Sequence, residues 1–441
     1  MTIREAGDAL RARRISCLEL TSQCLDRIFK LNPRLNAFLT VTEESARARA
    51  RELDGELAKG TDRGPLHGIP IAHKDLIWTK GVRTTSGSKL FADFVPDSDA
   101  SVVEKLDAAG AVMLGKTGLH ELAYGVTSDN PHFGTIRNPR DPERSPGGSS
   151  GGSGVAVATG MAYMATGTDT GGSIRIPASF CGVAGLKPTY GVVDRSGIQP
   201  LGFSLDHVGP LAASVADARV TFELMAGNSR RRPAVKNIGE IRIGLPDNFY
   251  FSGAAAEVRD AVHQAARKAE HLGGRVTHVR VPDVNALNAA GRVILLAEAS
   301  ALYEPYLARR EDFGSDVLAL LDQGRMVPAP DYVNAQRLRK VLLNEFCALF
   351  ESIDCLFTPT TPITAPRIGE KEVELDGRRE DTRIAATRLV RGMNGLGFPA
   401  LSIPCGNSSA GLPIGLQMIG RPFEEDLLLS LGEALEQALP R

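Results

Sequence analysis

DASVVEKLDAAGAVML (residues 99–114) reads as a helix over 99–109, a glycine turn and an apolar strand over 111–114. The same alternation surrounds it. Residues 69–73, Ile-Pro-Ile-Ala-His, make a short apolar strand that ends in Lys74-Asp75. Downstream, a helix is predicted over 155–162, with a strand running toward Thr168, then a strand over 241–245 and a helix over 254–272. Helix and strand in turn imply an α/β fold on a mixed or parallel sheet. Residues 4–31 carry one helical periodicity through Leu10, Ile15, Leu18, Cys24, Leu25 and Ile28, and 43–58 is a second helix rich in Ala, Arg and Glu. Helices are also predicted over 287–309, 332–350 and 426–439, and buried strands over 356–357, 401–403 and 415–418. The basic stretch 226–240 reads as a surface loop, and the chain carries no internal repeat.

The 441 residues are 43% hydrophobic and 23% charged, ordinary globular usage that argues against disorder or a coiled coil. With 46 glycines and 26 prolines, the composition favours a loop-rich enzyme over a helical array. Aromatics at 5% are too few for a base-stacking surface. Net charge is −1, from 51 basic and 52 acidic residues, which leaves no electrostatic footprint for nucleic acid or an anionic membrane. The N-terminus is charged and lacks an apolar signal core. The six cysteines show no paired spacing and read as reduced core thiols of a cytoplasmic protein, Cys17 and Cys24 on one helix face.

Three stretches invite chemistry. Gly110 to Gly115-Lys116-Thr117 matches a phosphate-loop pattern, but its central Ala-Val-Met-Leu is strand-forming and a helix precedes it, so a buried strand and turn is the better reading. Ser145-Pro-Gly-Gly-Ser149-Ser150-Gly-Gly-Ser153 has linker composition. It runs directly into apolar residues 155–158, which instead implies tight packing with N–H groups aimed at an anion. In the stretch 167–175, Gly-Thr-Asp-Thr-Gly-Gly-Ser-Ile-Arg, two glycines before a serine allow backbone N–H groups to converge near its hydroxyl. Acyl transfer needs that: a nucleophile beside ready donors for a developing oxyanion.

Together these residues resemble the amidase signature family. GIPIAHKD (68–75), PGGSSGGS (146–153) and GTDTGGSIRIPA (167–178) stand at the family's spacing, and CGVAGLKPTYGVV (181–193), SLDHVGPLA (204–212) and LPIGLQMIG (412–420) extend the likeness. The resemblance implies one domain over 1–441, a central mixed twisted β-sheet covered by helices on both faces. Its catalytic core would span about 55–225 and 352–421, with a divergent, substrate-side segment over about 226–330. It implies a Ser–Ser–Lys relay in which Ser173 is the nucleophile, Ser149 the bridge and Lys74 the base, with a cis peptide at Gly148–Ser149. Thr170, Gly171, Gly172 and Ser173 would offer oxyanion donors. Asp169 and Arg175 would support the turn, and Tyr124, Gly125 and Ser150 would meet substrate.

A solvated lysine is charged at neutral pH, so the base role requires Lys74 to be buried among uncharged groups. His73, His120, His132 and His207 lie near the motifs and read as packing residues; no histidine or cysteine spacing suits a metal, and no cofactor is expected. The activity implied is hydrolysis of a small-molecule carboxamide, with esters, anilides and carbamates also admitted, without nucleic acid or membrane partners; a homodimer is left open. Sparse charge near the motifs favours a neutral, moderately apolar substrate. The alternative is the glutaminase subunit of a tRNA-dependent amidotransferase, which must grip the charged ends of glutamine. Arg339 approximately fits the arginine position of that glutaminase, whereas Thr387 stands where its acid is expected. A non-enzymatic binding protein is the third reading.

Overall fold

Pro70–Lys74, Met164–Asp169, Ala184–Lys187, His207–Ala212, Cys355–Pro359 and Pro413–Gly420 are buried at every position. Strands without an exposed face belong to a sheet covered on both sides. The computed structural model describes residues 1–227 and 238–440, which span this sheet and its helices. In chain order the strands are β1 (Phe38–Val41), β2 (Pro70–Lys74), β3 (Val112–Thr117), β4 (Met164–Asp169), β5 (Ala184–Lys187), β6 (His207–Ala212), β7 (Arg242–Pro246), β8 (Arg275–Val279), β9 (Cys355–Pro359), β10 (Glu372–Leu375), β11 (Arg378–Asp381), β12 (Ala400–Asn407) and β13 (Pro413–Gly420). Eleven form one sheet in the order β1-β3-β2-β4-β6-β5-β12-β13-β9-β7-β8, and β10 and β11 pair apart from it. Strands β3, β2 and β4 run parallel to one another, as do β9, β7 and β8, while β1 meets β3, β4 meets β6 and β13 meets β9 antiparallel. The sheet is therefore mixed, as the alternating pattern implies.

Two pairings position the site. β2 and β4 are parallel neighbours in the register Ile71↔Met164 and Ala72↔Ala165, so their carboxyl ends, Lys74 and Thr168-Asp169, emerge side by side. Open α/β sheets bind ligands beyond such strand ends. The glycine-rich block is not a linker: Gly151–Ala158 is a helix that starts four residues before the predicted boundary. A Cβ on Gly152 would stand 2.5 Å from the carbonyl oxygens of Ala37 and Gly118, so only glycine admits this backbone contact. The phosphate-loop match likewise resolves into β3, with Gly115, Lys116 and Thr117 all on the strand.

Three expectations need correction. The periodicity over 4–31 divides into two helices, Ile3–Arg11 and Cys17–Leu35, separated where Arg13 takes a positive φ of 54°. Thr2/Glu5 and Ser16/Glu19 close a capping box at each start, a signal the periodicity overrode. The helix predicted over 287–309 is Val284–Tyr303, succeeded by a 3-10 segment that opens at Glu304-Pro305. Of the cysteines, all free, Cys347 is exposed, so the core-thiol reading holds for five of them. Most of the basic stretch predicted as a loop, residues 228–237, lies outside the described residues.

Phe350 is buried against Phe398, their ring centroids 5.5 Å apart. Phe350→Ala should cost about 3–5 kcal/mol, read as a clear drop in the thermal unfolding temperature. Phe29→Ala, on a side chain 49% exposed, should stay within about 0.5 kcal/mol of the parent.

Candidate active site

Lys74 ends β2 with no solvent-exposed surface. Its Nζ lies 2.8 Å from Ser149 Oγ, 2.9 Å from Ser150 Oγ and 2.8 Å from Thr168 Oγ1. Three neutral hydroxyls thus surround the amine, and no carboxylate pairs with it among the described residues. Burial lowers its pKa to about 7, against smaller opposing pulls from Asp169 and Asp206. Asp75, its neighbour in sequence, turns the other way to accept from Thr85 N and Oγ1. The Gly148–Ser149 peptide is cis. Ser149 itself is buried, and no hydrogen bond joins its Oγ to Ser173 Oγ among the described residues. Contacts of this kind commonly tighten only when substrate binds.

Beyond β4 the chain turns through Thr170-Gly171-Gly172-Ser173 into the short helix Arg175–Cys181. Asp169 organises this turn. Its carboxylate accepts from Gly172 N at 2.7 Å and Ile174 N at 3.2 Å, and pairs with Arg175 through Nε at 3.0 Å and Nη2 at 2.9 Å. Burial alone would raise the Asp169 pKa, but the charge and hydrogen bonds of Arg175 hold it below the usual carboxylate range. Arg175 also donates to Val390 O, Gln417 Oε1 and Asn394 Oδ1, and Asn394 Nδ2 donates back to Asp169. Asn394 and Gln417 were not singled out from sequence, although the motif over 412–420 contains Gln417.

The N–H of Gly172 is committed to Asp169 and is not free for an oxyanion, which corrects the fourfold donor set. Those of Thr170, Gly171 and Ser173 meet no protein acceptor among the described residues. Gly172 instead has a conformational role: its φ is +118°, and a Cβ there would collide with Val390 Cγ2.

Ser173 and Gly171 face a cleft of about 840 Å³, counting its open mouth, with Tyr124, Gly125, Leu295 and Leu296 in its walls. Tyr124 Oη is buried and carries no hydrogen bond among the described residues. Ser150, like Ser149 and Lys74, is not among the residues lining the cleft: it is bonded to Lys74 and donates to Thr168 O at 3.2 Å, and so supports the amine. Arg339 is also outside the cleft, held by Gly395 O and by Ser204. Thr387 is in the wall, its hydroxyl donating to Arg383 O at 2.8 Å. The four histidines lie elsewhere: His73 on Thr166, His120 on Asp316, His132 on Glu121 and His207 on Leu205 O. Burial drives the His73 pKa to about 3. Among the described residues, no cluster of His, Cys, Asp or Glu could hold a metal ion, and no helix is long and apolar enough to cross a membrane.

The Amidase family model matches residues 19–429. The chain belongs to the amidase family. Over 99% of its length it is 40% identical to the A subunit of glutamyl-tRNA(Gln) amidotransferase from Dechloromonas aromatica (strain RCB), covering 97% of that protein. Among solved structures it superposes with a TM-score of 0.95, at 37% identity, on a chain from a vestigial protein complex that reveals the origins of an s-triazine catabolic enzyme; the match covers 100% of this chain and 99% of that one. The peptide amidase of Stenotrophomonas maltophilia follows at a TM-score of 0.86 and 32% identity, covering 100% and 97%. The protein is a hydrolase of amide C–N bonds.

Asp169→Asn should leave a buried arginine without its counter-charge, at a cost of about 3–5 kcal/mol. A marked fall in unfolding temperature, with loss of amide hydrolysis, is the expected outcome.

Proposed function

We propose that this amidase cleaves small carboxamides through an acyl-enzyme on Ser173, with Ser149 and Lys74 relaying protons. The observation that carries the reading is the Lys74 amine, buried among three hydroxyls next to the turn that presents Ser173 to the cleft. A neutral amine has two N–H groups and one lone pair. Ser150 Oγ, whose own proton goes to Thr168 O, and Thr168 Oγ1 can receive the N–H groups. The lone pair is then left for the Ser149 proton. Ser149 in turn takes the proton of Ser173 as the Ser173 Oγ bonds to the substrate carbonyl carbon. The oxygen that gains charge is met by the free N–H groups of the turn. Breaking the C–N bond returns the proton through Ser149 to the leaving nitrogen. Water then attacks the Ser173 ester, its proton following the same relay, and the carboxylic acid departs. Each step moves protons between groups of this chain, so activity should survive exhaustive dialysis against a chelator. Asp169 and Arg175 act as positioning residues.

The curated relatives favour a second reading at least as strongly: glutamine hydrolysis by one component of a larger assembly that hands ammonia to a partner. Likeness along the whole chain to the amidotransferase relative supports it. The cleft supplies less, because Arg339 is engaged elsewhere and Thr387 offers no charge to the glutamine ammonium group. The two readings differ in one measurement. Purified alone, the chain should hydrolyse a panel of simple amides and carbamates; turnover confined to glutamine, and only with partner proteins added, would establish the second.

Ser173→Ala should reduce kcat by at least about a thousandfold without lowering the unfolding temperature. Near-parental turnover in that variant would end the nucleophile assignment.

The pH profile tests the base. Lys74 is charged below its pKa and neutral above it, so kcat/KM for a neutral amide should rise with pH, with a midpoint near 7. Lys74→Arg should abolish both the limb and the activity, since guanidinium stays protonated. An active arginine variant that keeps the limb would reduce Lys74 to a fixed cation.

A further inference from the structure

Two arginines that line the cleft have no ion-pair partner among the described residues. Arg391 opens the helix Arg391–Leu396 and Arg292 lies on the helix Val284–Tyr303; both line the cleft. Arg391 is half-buried, its Nε is fully covered, and that nitrogen has no hydrogen-bond partner among the described residues. It packs over the oxyanion turn, 3.6 Å from where a Gly171 Cβ would stand. Arg292 is exposed at the mouth, with one long contact to Gln323 Oε1 at 3.4 Å. Two other charged groups line the cleft, Asp381 and Arg383, and they offset each other. Asp381 Oδ1 caps the helix Thr382–Arg388 through the N–H groups of Arg383 and Ile384, and lies 3.7 Å from Arg383 Nε. Neither Arg391 nor Arg292 forms an ion pair among the described residues. Desolvation, with repulsion from Arg292, pulls the Arg391 pKa down to about 10.

A charged group whose nitrogen is covered from water is ordinarily hydrogen-bonded, and leaving it without a partner is costly. A guanidinium held open at a binding cleft suits a planar anion, which it can engage with two parallel N–H bonds. We propose that Arg391 and Arg292 form a carboxylate-binding end of the cleft, so that the amide hydrolysed here also bears a carboxylate, as in a dicarboxylic acid monoamide. The inference rests on the amidohydrolase reading of Ser173, and it replaces the neutral substrate expected from the sparse charge of the motifs. Residues 292 and 391 lie far apart in sequence, and only folding brings them together. Free glutamine also carries a carboxylate, but its ammonium would meet Thr387 and a carboxylate already capping a helix. The same skeleton without the amino group should therefore be preferred.

The test measures binding, so it does not depend on turnover. The monoamides of malonic, succinic and glutaric acid, each against its neutral methyl ester, are titrated calorimetrically into the full-length Ser173→Ala protein. At least one acid should bind about tenfold or more tightly than its ester, the gain expected from one charge-assisted hydrogen-bonded pair. Arg391→Met in the same background should remove that preference, and Arg391→Lys should keep part of it. If Arg391→Met does not fold, Arg292→Met, on an exposed position, should still weaken the preference. Esters binding as tightly as acids in all three pairs, or a preference untouched by both methionine variants, would overturn the proposal. Ser173→Ala protein that still turns over amides would count against the acyl-enzyme reading alone, since the acid-to-ester comparison still reports on the arginines.

Discussion

The buried pair of Asp169 and Arg175 holds the rest of the site in place. Two charges without exposed surface are tolerable only when nearly all their hydrogen-bonding capacity is used. Here it is: the carboxylate holds two backbone N–H groups, the guanidinium and Asn394, and the guanidinium reaches Val390 O, Gln417 and Asn394. These partners come from β4, the turn after it, the helix Arg391–Leu396 and β13. One ion pair therefore fixes the position of the proposed nucleophile relative to both halves of the sheet.

Burial alone does not make a lysine a base in this fold. Lys74, Lys116 and Lys187 are all fully buried, and burial pulls the pKa of each downward. Lys116 donates to Ile77 O and Thr84 Oγ1, with Asp75 3.8 Å away, and sits at about 8. Lys187 donates to the carbonyl oxygen of Pro188. Carbonyl oxygens can only accept, so at those contacts the two amines have no proton to take. Lys74 alone of the three contacts only hydroxyls, which can do both, whereas Lys116 meets a carbonyl oxygen and a carboxylate beside its two threonine hydroxyls. The partner set, more than the shift, separates a relay from a structural cation.

Local motifs made much of this legible in the sequence. Glycines of the 147–154 block and of the turn at 171–172 announce close backbone approaches, and β2 shows as an apolar run ending at Lys74. The helix over 43–58 coincides with Glu43–Ala58 because its composition and its packing agree. What stayed hidden depends on long-range contact. Gly172 reads as an oxyanion donor until Asp169 is seen to occupy its N–H. Ser150 reads as a substrate contact, and only the fold shows its hydroxyl bonded to Lys74. Arg391 is four residues from Thr387 yet shows nothing locally; its meaning lies in the absence of an ion-pair partner among the described residues, which no local pattern encodes. The split of residues 4–31 is a different case, since Ser16 and Glu19 were readable as a helix start and continuous periodicity masked them.

The lining of the cleft is drawn unevenly from the chain. The lysine, the serines and the turn with its ion pair fall within residues 74–175, whereas the arginines and much of the apolar wall come from 292–296 and 381–391. Bond-breaking apparatus and the charged part of the surface that selects a molecule are thus written in separate stretches. Changes at 292 or 391 alter what enters while leaving the relay's own contacts intact. A lineage can exchange one nitrogenous compound for another by drift in the second stretch, with the first as a fixed inheritance.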